Sequence, residues 1–264
     1  MQQIPVAENT SVAVTVSGHG QPVVFLNGFG GYQEIWTAQV AAFTAAGYQT
    51  VTWDYRGQGA STGDTAASLR VLAGDLHTVL NTLDLQTPIL IGHSMGASVI
   101  WAFLKDYPAF AVKAVVTVDQ SPMMVNTQNW WYGFRGLDRA STHQFFQLLS
   151  RHHETLKGLD AAVAAPLLAA EKAHPFFRIA AEELLSNHLR ADWRPVVEKM
   201  ACPTLMVGAL QSPYFPAGYG DWAARWNTHI QTATIDGCGH DIMAEVPDRF
   251  DAAVLAFLQT LPQA

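Results

Sequence analysis

The stretch Thr87-Pro88-Ile89-Leu90-Ile91-Gly92-His93-Ser94-Met95-Gly96-Ala97 decides how this chain is read. Three consecutive branched apolar residues predict a buried strand, and Ala97 to Tyr107 has the look of a helix. Between them stands a G-x-S-x-G turn, Gly92 to Gly96. A serine in a sharp turn from strand to helix is a nucleophile elbow: the turn strains its backbone and lifts the hydroxyl above the sheet edge. The flanking glycines leave room for the close backbone approach. Ser94 is therefore the candidate nucleophile.

Working outward, the same alternation of elements recurs. Residues 2–7 and 11–17 read as a hairpin, Pro22 to Leu26 as a buried strand, 32–46 as helix and Gln49 to Trp53 as the next strand. Leu69, Leu72, Ala73, Leu76, Val79, Leu80 and Leu83 recur at helical spacing within 66–83. Thr87 to Ile91, Lys113 to Val118, Pro203 to Val207 and Ile230 to Ile235 complete the strands, and 247–260 forms a closing amphipathic helix. Strands alternating with helices predict a parallel sheet covered on both faces. Ligands in such sheets bind beyond the carboxyl ends of the strands. Ser94, the glycine loop at 27–31 and Asp119 each follow a strand, so they are expected at one sheet edge.

Residues 122–195 break the alternation. They are expected to be mainly helical and carry Trp130, Trp131, Tyr132, Phe134, Phe145, Phe146, Phe176, Phe177 and Trp193. The reading is a helical lid at 122–195 inserted into a core made of 1–121 and 196–264.

The 264 residues are 49% hydrophobic and 14% charged, enough for a large core. A formal charge of −7 with 15 Lys and Arg argues against nucleic acid as a partner. Met1 to Pro5 lacks the basic and apolar segments of a signal peptide. No run approaches the ~18–20 apolar residues of a membrane span, so a cytoplasmic protein is expected. Cys202 precedes one late strand and Cys238 follows its neighbour, which separates them by about 15–20 Å at ~3.3 Å per residue. Two free thiols are expected.

Four segments occur in a telling order: NGFGG (Asn27 to Gly31), DYRGQGAS (Asp54 to Ser61), GHSMG (Gly92 to Gly96) and GCGH (Gly237 to His240), the last followed by Glu245 and Pro247. Together they resemble the α/β-hydrolase superfamily over nearly the whole chain. The resemblance implies a mostly parallel eight-stranded sheet flanked by helices, with the inserted lid. It implies Ser94 as nucleophile, His240 as base, and an oxyanion hole from the backbone N–H groups of Phe29 and Met95. Asn27-Gly28 stands where members often show His-Gly, which leaves the backbone donor intact.

The acid departs from the commonest pattern. Members often carry it after the seventh strand, where this chain reads Val207 to Ser212 without a carboxylate. Asp119, after the sixth strand in VVTVDQSP, is the preferred acid, and Asp221 is the second candidate. Asp236 and Asp241 lie too close in the chain to His240 to face its far nitrogen. His93 is expected to point away from the nucleophile. His152 and His153 read as a solvated or packed pair in the lid, and His19 and His229 as exposed turn or strand-end residues. Asp54, Arg56, Gly57 and Gly59 read as structural. Trp130, Tyr214 and Met123 are the candidate substrate contacts, within an apolar pocket to which Phe29, Met95 and Phe215 also belong.

The expected function is a serine hydrolase acting on a small or medium, largely apolar carboxylic ester through an acyl-enzyme, with no cofactor and no metal. A cofactor-free dioxygenase, a perhydrolase and a non-catalytic ligand receptor are the alternatives. A small-molecule substrate is the expected partner, and a homodimer is compatible with the sequence.

Overall fold

The computed structural model describes residues 1–145, 149 and 153–262. Phe146 and His152 therefore lie outside the described residues. Eight strands form one sheet: β1 (Gln2–Ala7), β2 (Thr10–Ser17), β3 (Gln21–Leu26), β4 (Tyr48–Trp53), β5 (Ile89–His93), β6 (Ala114–Val118), β7 (Thr204–Ala209) and β8 (Ile230–Ile235). Their order is β1-β2-β4-β3-β5-β6-β7-β8. β2 runs antiparallel to both β1 and β4, and the remaining pairs are parallel.

From β3 the chain goes first to β4 on one side and then to β5 on the other. That reversal opens a crevice at the carboxyl ends of β3 and β5, the place where open α/β sheets hold ligands. The register aligns the ends of several strands there. Leu26 pairs with Gly92, His93 with Val118, and Val118 with Val207. The residues that follow β3, β5 and β6 therefore emerge side by side.

Both faces of the sheet are covered. Along β3, Val23 and Phe25 pack with Phe43 of α1 (Thr37–Ala45) and with Phe250 and Val254 of the closing helix Pro247–Gln259. Val24 and Leu26 point the other way, toward Leu72 and Leu76 of α2 (Leu69–Thr82) and Val99 and Phe103 of α3 (Met95–Asp106). This period-two division of one strand between two cores makes the central strands apolar throughout. Each fully buried Leu, Val or Phe contributes about 1.5–3 kcal/mol.

Local chemistry sets the element ends. The 32–46 helix opens as a 3-10 turn, Gln33–Trp36, before α1 begins. The 66–83 helix starts at Leu69 because the Ser68 side chain caps it, accepting from Val71 N. Cys202 and Cys238 are both free thiols. Among the described residues, no helix is long and apolar enough to cross a membrane.

The segment 122–195 differs from its expectation. Helices appear at Ala161–Ala173 and Glu182–Arg190, with a 3-10 turn at Arg178–Ala181, but residues 122–141 hold none. Asn126 organises that stretch instead. Its Nδ2 donates to the carbonyls of Phe134 and Leu137, both at 2.8 Å, and its Oδ1 accepts from Gly133 N at 3.0 Å. A side chain that satisfies three backbone groups offers them an alternative to helix.

Candidate active site

The site begins at the end of β5. Ser94 has φ +51° and ψ −122°, in a region that non-glycine residues seldom occupy. Its N–H donates to Val118 O at 2.9 Å, which fixes the turn to the neighbouring strand. The turn demands glycine on both sides. A Cβ on Gly92 would lie 2.5 Å from the Gly96 carbonyl carbon, and one on Gly96 would lie 2.4 Å from Leu26 O. α3 then starts at Met95, whose N–H belongs to the first turn and has no intrahelical acceptor.

One strand over, Asp119 repeats the device with φ +45°. Its N–H donates to Val207 O at 2.8 Å. Its carboxylate is fully buried and accepts three hydrogen bonds: from Ala209 N at 3.1 Å, from Ser212 Oγ at 2.6 Å, and from His240 Nδ1 at 2.7 Å. Because an ionised carboxylate only accepts, Nδ1 carries the proton and Nε2 of His240 is left as the basic nitrogen. Asp221, the second candidate acid, is exposed in the helix Tyr219–Trp226 and accepts from Thr232. Asp236 is exposed and accepts from Gln211.

His240 is buried, which by itself would lower its pKa. The hydrogen bond and charge of Asp119, with the charges of Asp241 and Glu154, outweigh this and hold it above the usual histidine value. Its ring packs between Tyr214 and His93, each with centroids 4.5 Å away. Among the described residues no hydrogen bond joins Ser94 Oγ to His240, although both line one cavity. Such contacts commonly tighten only when substrate binds.

His93 does not simply turn away from this centre. It packs on the His240 ring, lines the same cavity, and its Nε2 lies 3.2 Å from His240 O and 3.5 Å from Asp241 Oδ1. Burial, then the charge of His240, drives its pKa well down, so it is neutral. Asp241 is buried beside it, and burial with the charge of Glu154 raises its pKa. His19, His153 and His229 are exposed.

The loop after β3 is braced by Asn27. Its Nδ2 donates to Trp53 O, its Oδ1 accepts from Trp36 Nε1, and its carbonyl accepts from the Tyr55 hydroxyl. All three bonds are buried, so the departure to Asn27 serves the scaffold. Phe29 follows in the loop, lines the cavity and packs edge-on against Phe176. Behind it, Asp54 accepts from Gln33 and from Ala60 N, and Arg56 pairs with Asp75 of α2. These contacts fit the structural reading of DYRGQGAS.

Ser94 and His240 open into a cavity of about 330 Å³. Phe134, Phe145, Leu185, Tyr214 and Phe215 give it apolar walls, and Gln120, Glu154, Arg178 and His188 give it polar ones. Tyr214 thus stands where expected, with its hydroxyl donating to Glu154 Oε1 at 2.9 Å.

Trp130 and Met123 do not. Trp130 is buried elsewhere, its Nε1 donating to Met123 O at 2.8 Å and its ring 5.1 Å below the Arg194 guanidinium. Met123 faces a larger, open cleft with Thr127, Arg190 and Arg194, and neither Ser94 nor His240 reaches that cleft. Within the WWYGF run, Phe134 is the ring that reaches the cavity.

Sequence reasoning also missed Gln120, Ser212, Glu154 and His188. A signal existed for His188: it stands four residues after Leu184 and three after Leu185, on the buried face of its helix. Glu245 was quoted only as part of a motif. Its carboxylate accepts from Leu156 N, Lys157 N and Gly239 N, which ties the 154–157 segment to the loop carrying His240.

Comparison with known proteins agrees with this architecture. The model of the family described as "alpha/beta hydrolase fold" matches residues 21–247. A Synechocystis sp. protein named "Putative non-heme chloroperoxidase" is 33% identical over 135 residues, 49% of each chain, so the match spans about half the length of that curated relative. A non-heme chloroperoxidase of Streptomyces lividans is 25% identical over 91% of this chain and 92% of its own. Among solved structures, an esterase from Exiguobacterium antarcticum superposes with a TM-score of 0.83 at 17% identity, covering 98% of this chain and 99% of that one. At that identity the likeness speaks to the fold. The sheet order, the strained turn after β5 and the family match over residues 21–247 lead to one conclusion: the chain belongs to the α/β-hydrolase fold family.

Proposed function

We propose that this protein is a serine hydrolase that cleaves a small or medium, largely apolar carboxylic ester through an acyl-enzyme. The observation that carries the reading is Ser94, held in a left-handed turn, sharing a cavity with a histidine whose far nitrogen is fixed by buried Asp119.

In this mechanism His240 Nε2 takes the Ser94 proton as Oγ attacks the acyl carbon. Asp119 keeps the tautomer and stabilises the imidazolium. The N–H groups of Phe29 and Met95 hold the oxyanion, and the positive end of α3 adds to them. The alcohol leaves with the proton from His240. Water then attacks the acyl-enzyme with His240 as base and releases the acid. Residues 122–195 act as the lid, with Phe134, Phe145 and Leu185 beside Tyr214 and Phe215 supplying the apolar walls. A fluorophosphonate probe should label Ser94 and leave Ser94→Ala unlabelled; labelling that survives the substitution would reject the nucleophile.

A second reading draws on relatives named as haloperoxidases. Hydrogen peroxide in place of water at the acyl-enzyme would release a peracid, which oxidises added bromide to hypobromous acid, the halogenating species, and returns the carboxylic acid. Peroxide-dependent bromination that requires both a carboxylic acid and Ser94 would favour it; its absence leaves hydrolysis.

A further inference from the structure

Two buried side chains lining the Ser94 cavity carry polar atoms that no group among the described residues satisfies. Gln120 is 1% exposed, and its Oε1 has no hydrogen-bond partner. Its Nε2 donates to Ser121 O at 2.9 Å, and since a carbonyl only accepts, this bond fixes which way the amide points. The lone pairs of Oε1 are therefore left unmet. His188 is 3% exposed and its Nδ1 is unpartnered. Burial, then the charge of His240, pushes its pKa down to about 3, so the ring is neutral and offers one donor and one acceptor nitrogen. The two residues come from different elements, the turn after β6 and the helix Glu182–Arg190, and they meet the same cavity. The other buried unpartnered groups, such as Ser98 and Thr117, do not line it. An unmet buried polar atom is costly to the fold, and a matching ligand group removes that cost.

We propose that Gln120 and His188 form a polar subsite for a protic group of the substrate, a hydroxyl or an amide N–H, so that the esters this enzyme selects carry such a group on the part that fills the cavity. This rests on the ester-hydrolase reading of Ser94. A ligand O–H or N–H donates to Gln120 Oε1, while the neutral ring of His188 pairs with a second donor or acceptor of the same substituent. Phe134, Phe145 and Phe215 line the same cavity and offer no hydrogen-bonding group, so an analogue that cannot donate leaves Gln120 unpaired and is rejected.

The test compares matched esters. On the acyl side, p-nitrophenyl esters of one short acid are used in unsubstituted, β-hydroxy, β-acetamido and β-methoxy forms. On the alcohol side, hydroxyethyl and methoxyethyl esters of the same acid are used. In one of the two sets a protic form should exceed its methoxy counterpart in kcat/KM by roughly ten- to a hundredfold. The hydroxy and acetamido arms tell the two protic groups apart. In Gln120→Met and His188→Phe the ratio should fall toward one, in protein whose melting temperature and fluorophosphonate labelling show it folded. A ratio near one in both sets for the unaltered enzyme overturns the subsite, as does a ratio that survives both substitutions. If no ester is turned over and Ser94 is not labelled, the hydrolase reading fails. The subsite is then judged by calorimetry with matched hydroxy and methoxy methyl ketones. A hydroxy preference lost in the two variants supports it, and equal binding or none overturns it.

Discussion

The strand ends and the segment 122–195 both build the cavity, by opposite means. At the strand ends, backbone ladders dictate where Ser94 and Asp119 emerge, and both residues are held in left-handed conformations by bonds to the next strand. In the first part of 122–195, side chains dictate the path of the backbone, as Asn126 does for Gly133, Phe134 and Leu137. The first arrangement fixes the positions of Ser94 and Asp119 through the backbone. The second fixes the shape of a wall. Changes at the strand ends should therefore damage chemistry, and changes in the segment should alter which substrates fit.

The largest expected effect is at the elbow itself. Ser94→Ala should lower hydrolysis of a p-nitrophenyl ester by about 10⁴–10⁶-fold with an unchanged fold by circular dichroism. Asp119→Asn should follow, at about 10⁴-fold in kcat, because the histidine loses its tautomer and the carboxylate that steadies its positive charge. Asp221→Asn, altering an exposed carboxylate, should stay within twofold, and a reversed ranking would move the acid.

The contrast was partly legible in the sequence. Ile89 to Gly96 announces strand, turn and helix because glycine alone fits where Gly92 and Gly96 meet backbone. Asp119 was legible because one residue past a buried strand is a position that parallel register brings beside Ser94. The faces of Trp130, Met123 and Phe134 were not. No periodicity governs that loop, and the direction of each ring follows from bonds such as Trp130 Nε1 to Met123 O, which leave no pattern in the order of residues. The helical expectation for 122–141 failed for the same reason. Gln120 and His188 were passed over because an unpaired buried atom is a property of surroundings rather than of residue type.

Smaller effects are expected in the cavity wall and behind it. Phe134→Ala should raise KM for longer acyl esters roughly three- to tenfold with little change in kcat, since it enlarges a wall without touching the reacting atoms. Trp130→Phe should cost about 1 kcal/mol of stability by urea denaturation through its lost hydrogen bond, and leave KM as it was. The pH profile of kcat/KM adds a further measure. In the proposed mechanism hydrolysis requires neutral His240, so activity should fall as pH drops through its pKa. That acidic limb should lie above the ordinary histidine value of about 6.5. A limb at or below that value would show that Asp119 does not hold the ring.

Two of the three donors on Asp119 have a consequence for how such a site can change. Ala209 N closes β7 and Ser212 Oγ follows it, at the place where the resemblance in sequence led the acid to be sought first. Here that post is a clamp for a carboxylate one strand away. Sliding the acid along its own strand is barred, because a shift of one residue moves it by about 3.3 Å and reverses its side chain. Hopping between strand ends keeps the carboxylate near the same point in space. The histidine addresses a location, which β6 fills with Asp119 while the end of β7 serves as its holder.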